Sequence, residues 1–152
     1  MGHTDAIPGH IRALFERHGL RCTRQRQVLY EALAAEKCHP TADELFQNVR
    51  ASEEGLSLAT VYNTLEAFTQ VGLVRRIPCA SGTGPCRFDA DTTEHVHLAT
   101  ADGKIVDLPH DLSQKLLAGI PSSARADVET RLGVQVRGLT VQVVGGADPQ
   151  SV

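Results

Sequence analysis

The apolar residues of this chain change period near Gly72, and that change constrains the fold more than any other feature. Up to Gln70 they recur every three or four residues, the spacing of a helix face. "IPGHIRALFERHG" places Pro8 at a helix start and Gly19 past its end, with Ile11, Leu14 and Phe15 on one side. A second helix follows Thr23, an N-cap residue, with Val28, Leu29 and Leu33 facing inward. A third opens on "TADE", a capping box in which Glu44 reaches back to the Thr41 N–H, and buries Leu45, Phe46 and Val49. A fourth follows Ser57, buries Leu58, Val61, Leu65 and Phe68, and stops at Gly72.

Beyond Gly72 the segments are short and extended. "LVRRIPC" and "PCRFDA", joined by "ASGTG", predict a hairpin. Several short helices followed by a hairpin have the composition of a winged helix-turn-helix. "HVHLAT" and "KIVDLP" flank a "DG" and predict a second hairpin. "DLSQKLLAG" and "SSARADVETRLG" read as helices, the latter capped by Ser122 or Ser123. "VQVRGLTVQVVGG" alternates apolar residues at Val134, Val136, Leu139, Val141 and Val143, a strand pattern once Gly138 is allowed as an irregularity. The fold class is therefore α+β: a winged helix-turn-helix followed by a small α/β module.

Charge divides along the same line. Residues 1–88 hold ten Lys/Arg and nine Asp/Glu, a net of +1; residues 89–152 hold five and nine, a net of −4. Such asymmetry suggests two modules with different partners. With no Trp and only 4% aromatic residues, the core is expected to be aliphatic. No apolar run reaches the roughly 20 residues that cross a bilayer. The first residues carry charges where a signal peptide has its apolar core, so a cytoplasmic protein without membrane association is expected. Cys22, Cys38, Cys79 and Cys86 include no C-x-x-C pair, and free thiols are the default in a reducing cytosol.

Two sets of residues carry candidate chemistry. If the fourth helix buries its apolar face, Thr60, Asn63 and Thr64 face outward and Tyr62 lies toward the edge. Asn can pair with adenine, and Thr with phosphate or a thymine methyl. Arg21, Arg24, Arg26, Arg75 and Arg76 lie near the neighbouring turns and the hairpin. Pattern alone leaves DNA binding and a solvated bundle face equally open. The second set is "EHVHLATADGKIVD". Residues i and i+2 of a strand share a face, so His95 and His97 can reach one ion, and Asp107 can approach His97 across the hairpin. Asp89 ends the preceding hairpin. Imidazole with carboxylate suits Fe²⁺, Mn²⁺, Zn²⁺ or Co²⁺. A solvated polar strand face has the same pattern. A metalloenzyme is a rival, but no nucleophile motif, separate general base or substrate pocket is evident, so no enzymatic activity and no organic substrate are expected. A winged helix that binds protein rather than DNA is the other rival.

"GLRCTRQRQVLYEAL", "HPTADELF" and "SLATVYNTLEAFTQVGLVRR" resemble the winged-helix domain of the ferric uptake regulator family of metal-dependent repressors. The likeness is continuous from about Gly19 to Arg76 and extends more loosely through "HVHLATADGKIVDLP". It implies a homodimer on double-stranded operator DNA, with residues 1–84 as the DNA-binding domain and hinge and residues 85–152 as the metal-binding and dimerisation domain. By resemblance Tyr62 and Asn63 contact the major groove and Arg21 the minor groove or a phosphate, with Ser57 and Thr60 beside them. It also brings His39, from "HPTA", to the ion of the H-x-H strand. The implied regulatory site is then His39, Asp89, His95, His97 and Asp107, holding one divalent ion per subunit, Fe²⁺ or Mn²⁺, with Zn²⁺ possible in a purified sample.

Family members differ at the last ligand. Iron sensors commonly carry Glu there, and the peroxide-sensing branch carries Asp, as does this chain at Asp107; Asn63 also resembles that branch. The implied function is a repressor released when peroxide oxidises a ligating histidine, His39 or His95. The alternative is an iron sensor released by metal loss. Most members have C-x-x-C after the H-x-H strand; here the segment is "ATADGK" and no cysteine follows Cys86, so no structural Cys₄ zinc is expected. Cys79 and Cys86 flank the "ASGTGP" loop. They are either two free thiols or a redox pair that stiffens the wing.

Overall fold

The computed structural model describes residues 8–36 and 38–146. The chain divides into two compact units, Met1–Thr92 and Thr93–Val152. The division expected after Gly84 falls inside the first hairpin. Arg87–Asp89 belong with the first unit because they pair with Arg75–Ile77.

The first unit runs α1 (Gly9–Arg17), α2 (Arg24–Ala35), α3 (Ala42–Val49), α4 (Leu58–Gln70), β1 (Arg75–Ile77) and β2 (Arg87–Asp89). α1 starts after Pro8 without a side-chain cap, whereas α2, α3 and α4 start where a side chain satisfies one of the first free N–H groups. Thr23 accepts from Arg26 N, and Ser57 from Thr60 N. Thr41 and Glu44 form both halves of the capping box, at 3.2 and 3.0 Å. Gly72, at φ +75°, supplies the left-handed turn after α4 that a side chain would resist. The core is largely aliphatic, as expected, with Leu29, Leu33, Leu45, Val61 and Leu65 buried, and an aromatic cluster packs within it. Phe15 and Phe68 are fully buried with ring centroids 5.6 Å apart, and Tyr30 meets both edge-on at 5.8 and 6.0 Å. Few aromatics suffice when three meet at one point. Leu58 is only partly buried. Thr64, expected outward, is 6% exposed and packs inward with Leu65.

The second unit runs β3 (Val96–Ala99), β4 (Ile105–Asp107), α5 (His110–Ala118), α6 (Ser123–Leu132) and β5 (Val141–Val144). Its sheet has the order β4-β3-β5, with β4 antiparallel and β5 parallel to β3. The hairpin is closed by Thr100 N–H donating to the Lys104 carbonyl. Of the alternating stretch 134–144, only Val141–Val144 forms a strand. Ser122 stands before α6 but its side chain makes no capping hydrogen bond. No helix among the described residues is long and apolar enough to cross a membrane.

Candidate functional site

In the second unit, register builds the centre. β3 and β4 pair His97 directly with Asp107. His97 Nε2 lies 3.4 Å from Asp107 Oδ1, and His95 Nε2 lies 3.1 Å from the same oxygen. The two imidazoles stand 4.5 Å apart. His95 Nδ1 is 2.7 Å from the Thr93 carbonyl, which can only accept, so Nδ1 carries the proton. In the neutral ring Nε2 then holds the lone pair, the state a metal requires. The strand is anchored behind the histidines: Val96 N–H donates to Ser113 Oγ at 2.6 Å, and Leu108 N–H to the Val96 carbonyl. His97 and Ser113 are 0% and 1% exposed.

In the first unit, His39 Nδ1 lies 3.5 Å from Asp89 Oδ1, and both side chains are buried. The segment around His39 is laid along β2. Phe88 N–H donates to the Pro40 carbonyl, and Thr41 forms a bridge with Arg87. Arg87 donates to the His39 carbonyl at 3.0 Å and to Glu44 at 2.8 Å, the carboxylate that caps α3. Asp89 Oδ1 also accepts from Asp91 N–H at 2.8 Å, which fixes its carboxylate. Thus the structure brings His39 to Asp89 in one unit, and His95 and His97 to Asp107 in the other. Within each unit an imidazole nitrogen meets a carboxylate oxygen, a pairing that suits a borderline or hard divalent cation.

The residues expected to contact DNA lie on α4 and its flanks. Tyr62 is 48% exposed, Asn63 is exposed, and Ser57 and Thr60 share a hydroxyl contact of 2.9 Å at the helix start. The Tyr62 hydroxyl donates to Asp43 Oδ2 at 2.8 Å, and this bond raises the phenol's pKa. Arg21 is exposed; its carbonyl accepts from Arg26. Three of the arginines expected to meet phosphate are held internally: Arg24 by Glu53, Arg76 by Glu66, and Arg75 by the Thr92 carbonyl.

All four cysteines are free thiols. Cys86 lines a shallow groove with Tyr62, Arg76 and Phe88. The Cys79 thiol is held below its ordinary pKa by the Ser81 hydroxyl, 3.1 Å away, and then by backbone N–H groups of the loop. Gly84 permits this wrap, since a Cβ there would stand 2.7 Å from Cys79 Sγ.

Sequence reasoning missed Arg87, Ser113 and Asp43, each of which holds a site residue or the backbone between two of them through a contact distant in sequence. Only Ser113 carried a signal, a small polar residue on the apolar side of a predicted helix.

The chain is 41% identical over 91 residues to the peroxide-responsive repressor PerR of Staphylococcus saprophyticus, covering 59% of this chain and 60% of that protein. It is 38% identical over 93 residues to PerR of Staphylococcus aureus, covering 60% and 62%. The matched region thus spans less than two thirds of these curated relatives. Among solved structures, the Vibrio cholerae ferric uptake regulator matches with TM-score 0.65 and 24% identity, over 90% of this chain and 99% of that one. The Campylobacter jejuni peroxide stress regulator matches with TM-score 0.62 and 23% identity, over 95% and 98%. The likeness is one of fold, an α+β chain. The sequence pattern of the ferric uptake regulator family matches residues 17–131 of the 152, and the chain belongs to that family.

Proposed function

We propose that this protein is a cytoplasmic, metal-dependent transcriptional repressor that binds operator DNA as a homodimer and lets go when peroxide oxidises a histidine of its metal site. The observation that carries the metal reading is the β3–β4 register, which aims His95 and His97 at one oxygen of Asp107. We assign His39 and Asp89 to the same ion. Two donors are too few for a tight site, and three leave positions open on a divalent ion. Fe²⁺ at this site would supply the one-electron chemistry that turns peroxide against a nearby imidazole.

The residues themselves perform the rest. Thr93 fixes the His95 tautomer, and Arg87 holds the His39 backbone against β2. An ion that draws donors from both units favours one arrangement of the reading helices over others. Because His39 stands at the head of α3, loss of either ligand set uncouples the ion from the reading unit. The peroxide signal is supported by Asp107, the shorter carboxylate, and by the relatives at 38–41% identity, which are named peroxide-responsive repressors. Exposed Leu112, Leu116, Val128, Leu132, Val134 and Val144, all from the second unit, support a second copy as its partner.

Mass spectrometry of Fe²⁺-loaded and Mn²⁺-loaded protein after low peroxide, with DNA binding followed in parallel, tests this reading. One-oxygen additions on His39 or His95 with iron alone, together with loss of DNA binding, are expected. Clean histidines with reversible, iron-dependent binding would instead make it an iron sensor.

A further inference from the structure

We propose that Asp43 sets the sense in which Tyr62 reads DNA, making the phenol an acceptor that selects a base bearing an exocyclic amino group. This inference rests on the DNA-binding reading above and goes beyond it, because it assigns a role to a residue of α3 and a chemical preference to one operator position.

The proton count of the pair fixes the sense of the bond. A tyrosine hydroxyl has one proton and two lone pairs, and an ionised carboxylate has no proton to give. The Tyr62–Asp43 bond of 2.8 Å therefore uses the only proton of the phenol. What remains on the exposed side of the oxygen can only accept. In the major groove, adenine N6 and cytosine N4 donate, whereas guanine O6 and N7 and thymine O4 accept. An oxygen whose proton is held elsewhere meets the first pair favourably and faces the second lone pair to lone pair. Discrimination of this kind excludes the wrong base by repulsion as well as choosing the right one.

Asp43 is suited to keep the proton engaged. It stands in the first turn of α3, where the helix dipole favours a negative charge. The bond links the two helices of the helix-turn-helix, residues 19 apart in sequence, and holds the Tyr62 ring in place before DNA arrives. Tyr62 itself is nearly half exposed on α4, beside exposed Asn63, so its oxygen is free to approach a base edge. The raised pKa of the phenol agrees with a proton held by a carboxylate, and keeps the neutral form across the physiological range.

The test selects duplexes from a randomised double-stranded pool with full-length, Mn²⁺-loaded protein: wild type, Y62F, D43A and the isosteric D43N. The position whose preference changes in Y62F is the one Tyr62 reads. In the wild type it should carry A or C on the contacted strand, with about tenfold discrimination against G or T, the upper end of what one neutral hydrogen bond contributes. D43A should reduce that ratio to about twofold, and D43N should reduce it in the same direction, with preferences elsewhere in the site unchanged; a merely structural role for Asp43 would weaken every position alike. Without DNA, spectrophotometric titration should show the Tyr62 phenol ionising at lower pH in D43A than in the wild type. If the wild type enriches no duplex, the DNA-binding reading falls and this inference falls with it. If the wild type binds but the Tyr62 position prefers G or T, or both Asp43 variants keep the full preference, this inference fails alone.

Discussion

Single side chains decide whether the two ligand groups can hold an ion. His95 Nε2 and His97 Nε2 both lie against Asp107 Oδ1, so Asp107→Ala should remove the proposed metal site, read as loss of the metal equivalent in a Mn²⁺ titration. Arg87 acts one step away through the His39 carbonyl, so Arg87→Met should weaken Mn²⁺ by about 10–100-fold, the range for partners that orient a ligand. The same titration checks it, with the unfolding midpoint as control. Cys79 gives a pH-dependent prediction. The thiolate is the reactive form, and a depressed pKa keeps it populated at pH values where an ordinary cysteine is protonated. Iodoacetamide should therefore label Cys79 before Cys22, Cys38 or Cys86, and Ser81→Ala should move its pH–rate profile upward. Thiol counting before and after mild peroxide decides the redox pair: loss of the Cys79 and Cys86 thiols together would establish it, and retention of both would reject it. What was legible at this scale was local. The two-residue period put His95 and His97 on one face, and the "DG" turn fixed which residue of β4 meets His97. Arg87 and His39, 48 residues apart, meet only because β2 runs beside the head of α3, and no sequence period encodes that.

Secondary-structure elements were legible wherever caps and periods agreed. Thr23, Thr41 and Ser57 all cap as their side chains dictate. Thr41→Ala should cost about 1 kcal/mol in chemical unfolding, since it removes the first half of the capping box. Aromatic packing at the centre of the helical unit was not legible, because Phe15, Tyr30 and Phe68 come from three helices whose crossing no short window predicts. Phe68→Ala should cost about 3–5 kcal/mol. The alternating stretch 134–144 was read as one strand, yet only its last four residues find a partner in β3. Alternation marks what a strand could bury, and a neighbouring edge decides how much of it forms. The β1 edge of the wing carries an electrostatic consequence. Glu66 neutralises Arg76, so Glu66→Gln should release the guanidinium for phosphate. The slope of log affinity against log salt should steepen by about one phosphate contact. An unchanged slope would show that Arg76 stays away from DNA.

The whole molecule combines a helical unit with a buried core and a second unit that leaves apolar surface open. Among the described residues α6 buries none of its side chains, α5 buries only Ser113, and Leu132 and Val144 are each 69% exposed. In the proposed homodimer a second copy covers these exposed residues, and Leu116→Asp with Leu132→Asp should shift sedimentation from dimer to monomer. The organisation into a helical module and an α/β module was legible from the change of period at Gly72 and the charge asymmetry. Where the boundary falls was not, because β2 pairs with β1 across a nine-residue connection and so carries Arg87–Asp89 into the first unit. In the proposed function one ion, held by His39 and Asp89 together with His95, His97 and Asp107, couples metal to DNA. Linkage makes that coupling reciprocal. The direct measurement is Mn²⁺ affinity of the full-length protein with and without a duplex selected from the randomised pool. The account predicts that the duplex tightens Mn²⁺ by about 5–150-fold, and that His39→Ala abolishes the gain. Equal Mn²⁺ affinity with and without the duplex would contradict it.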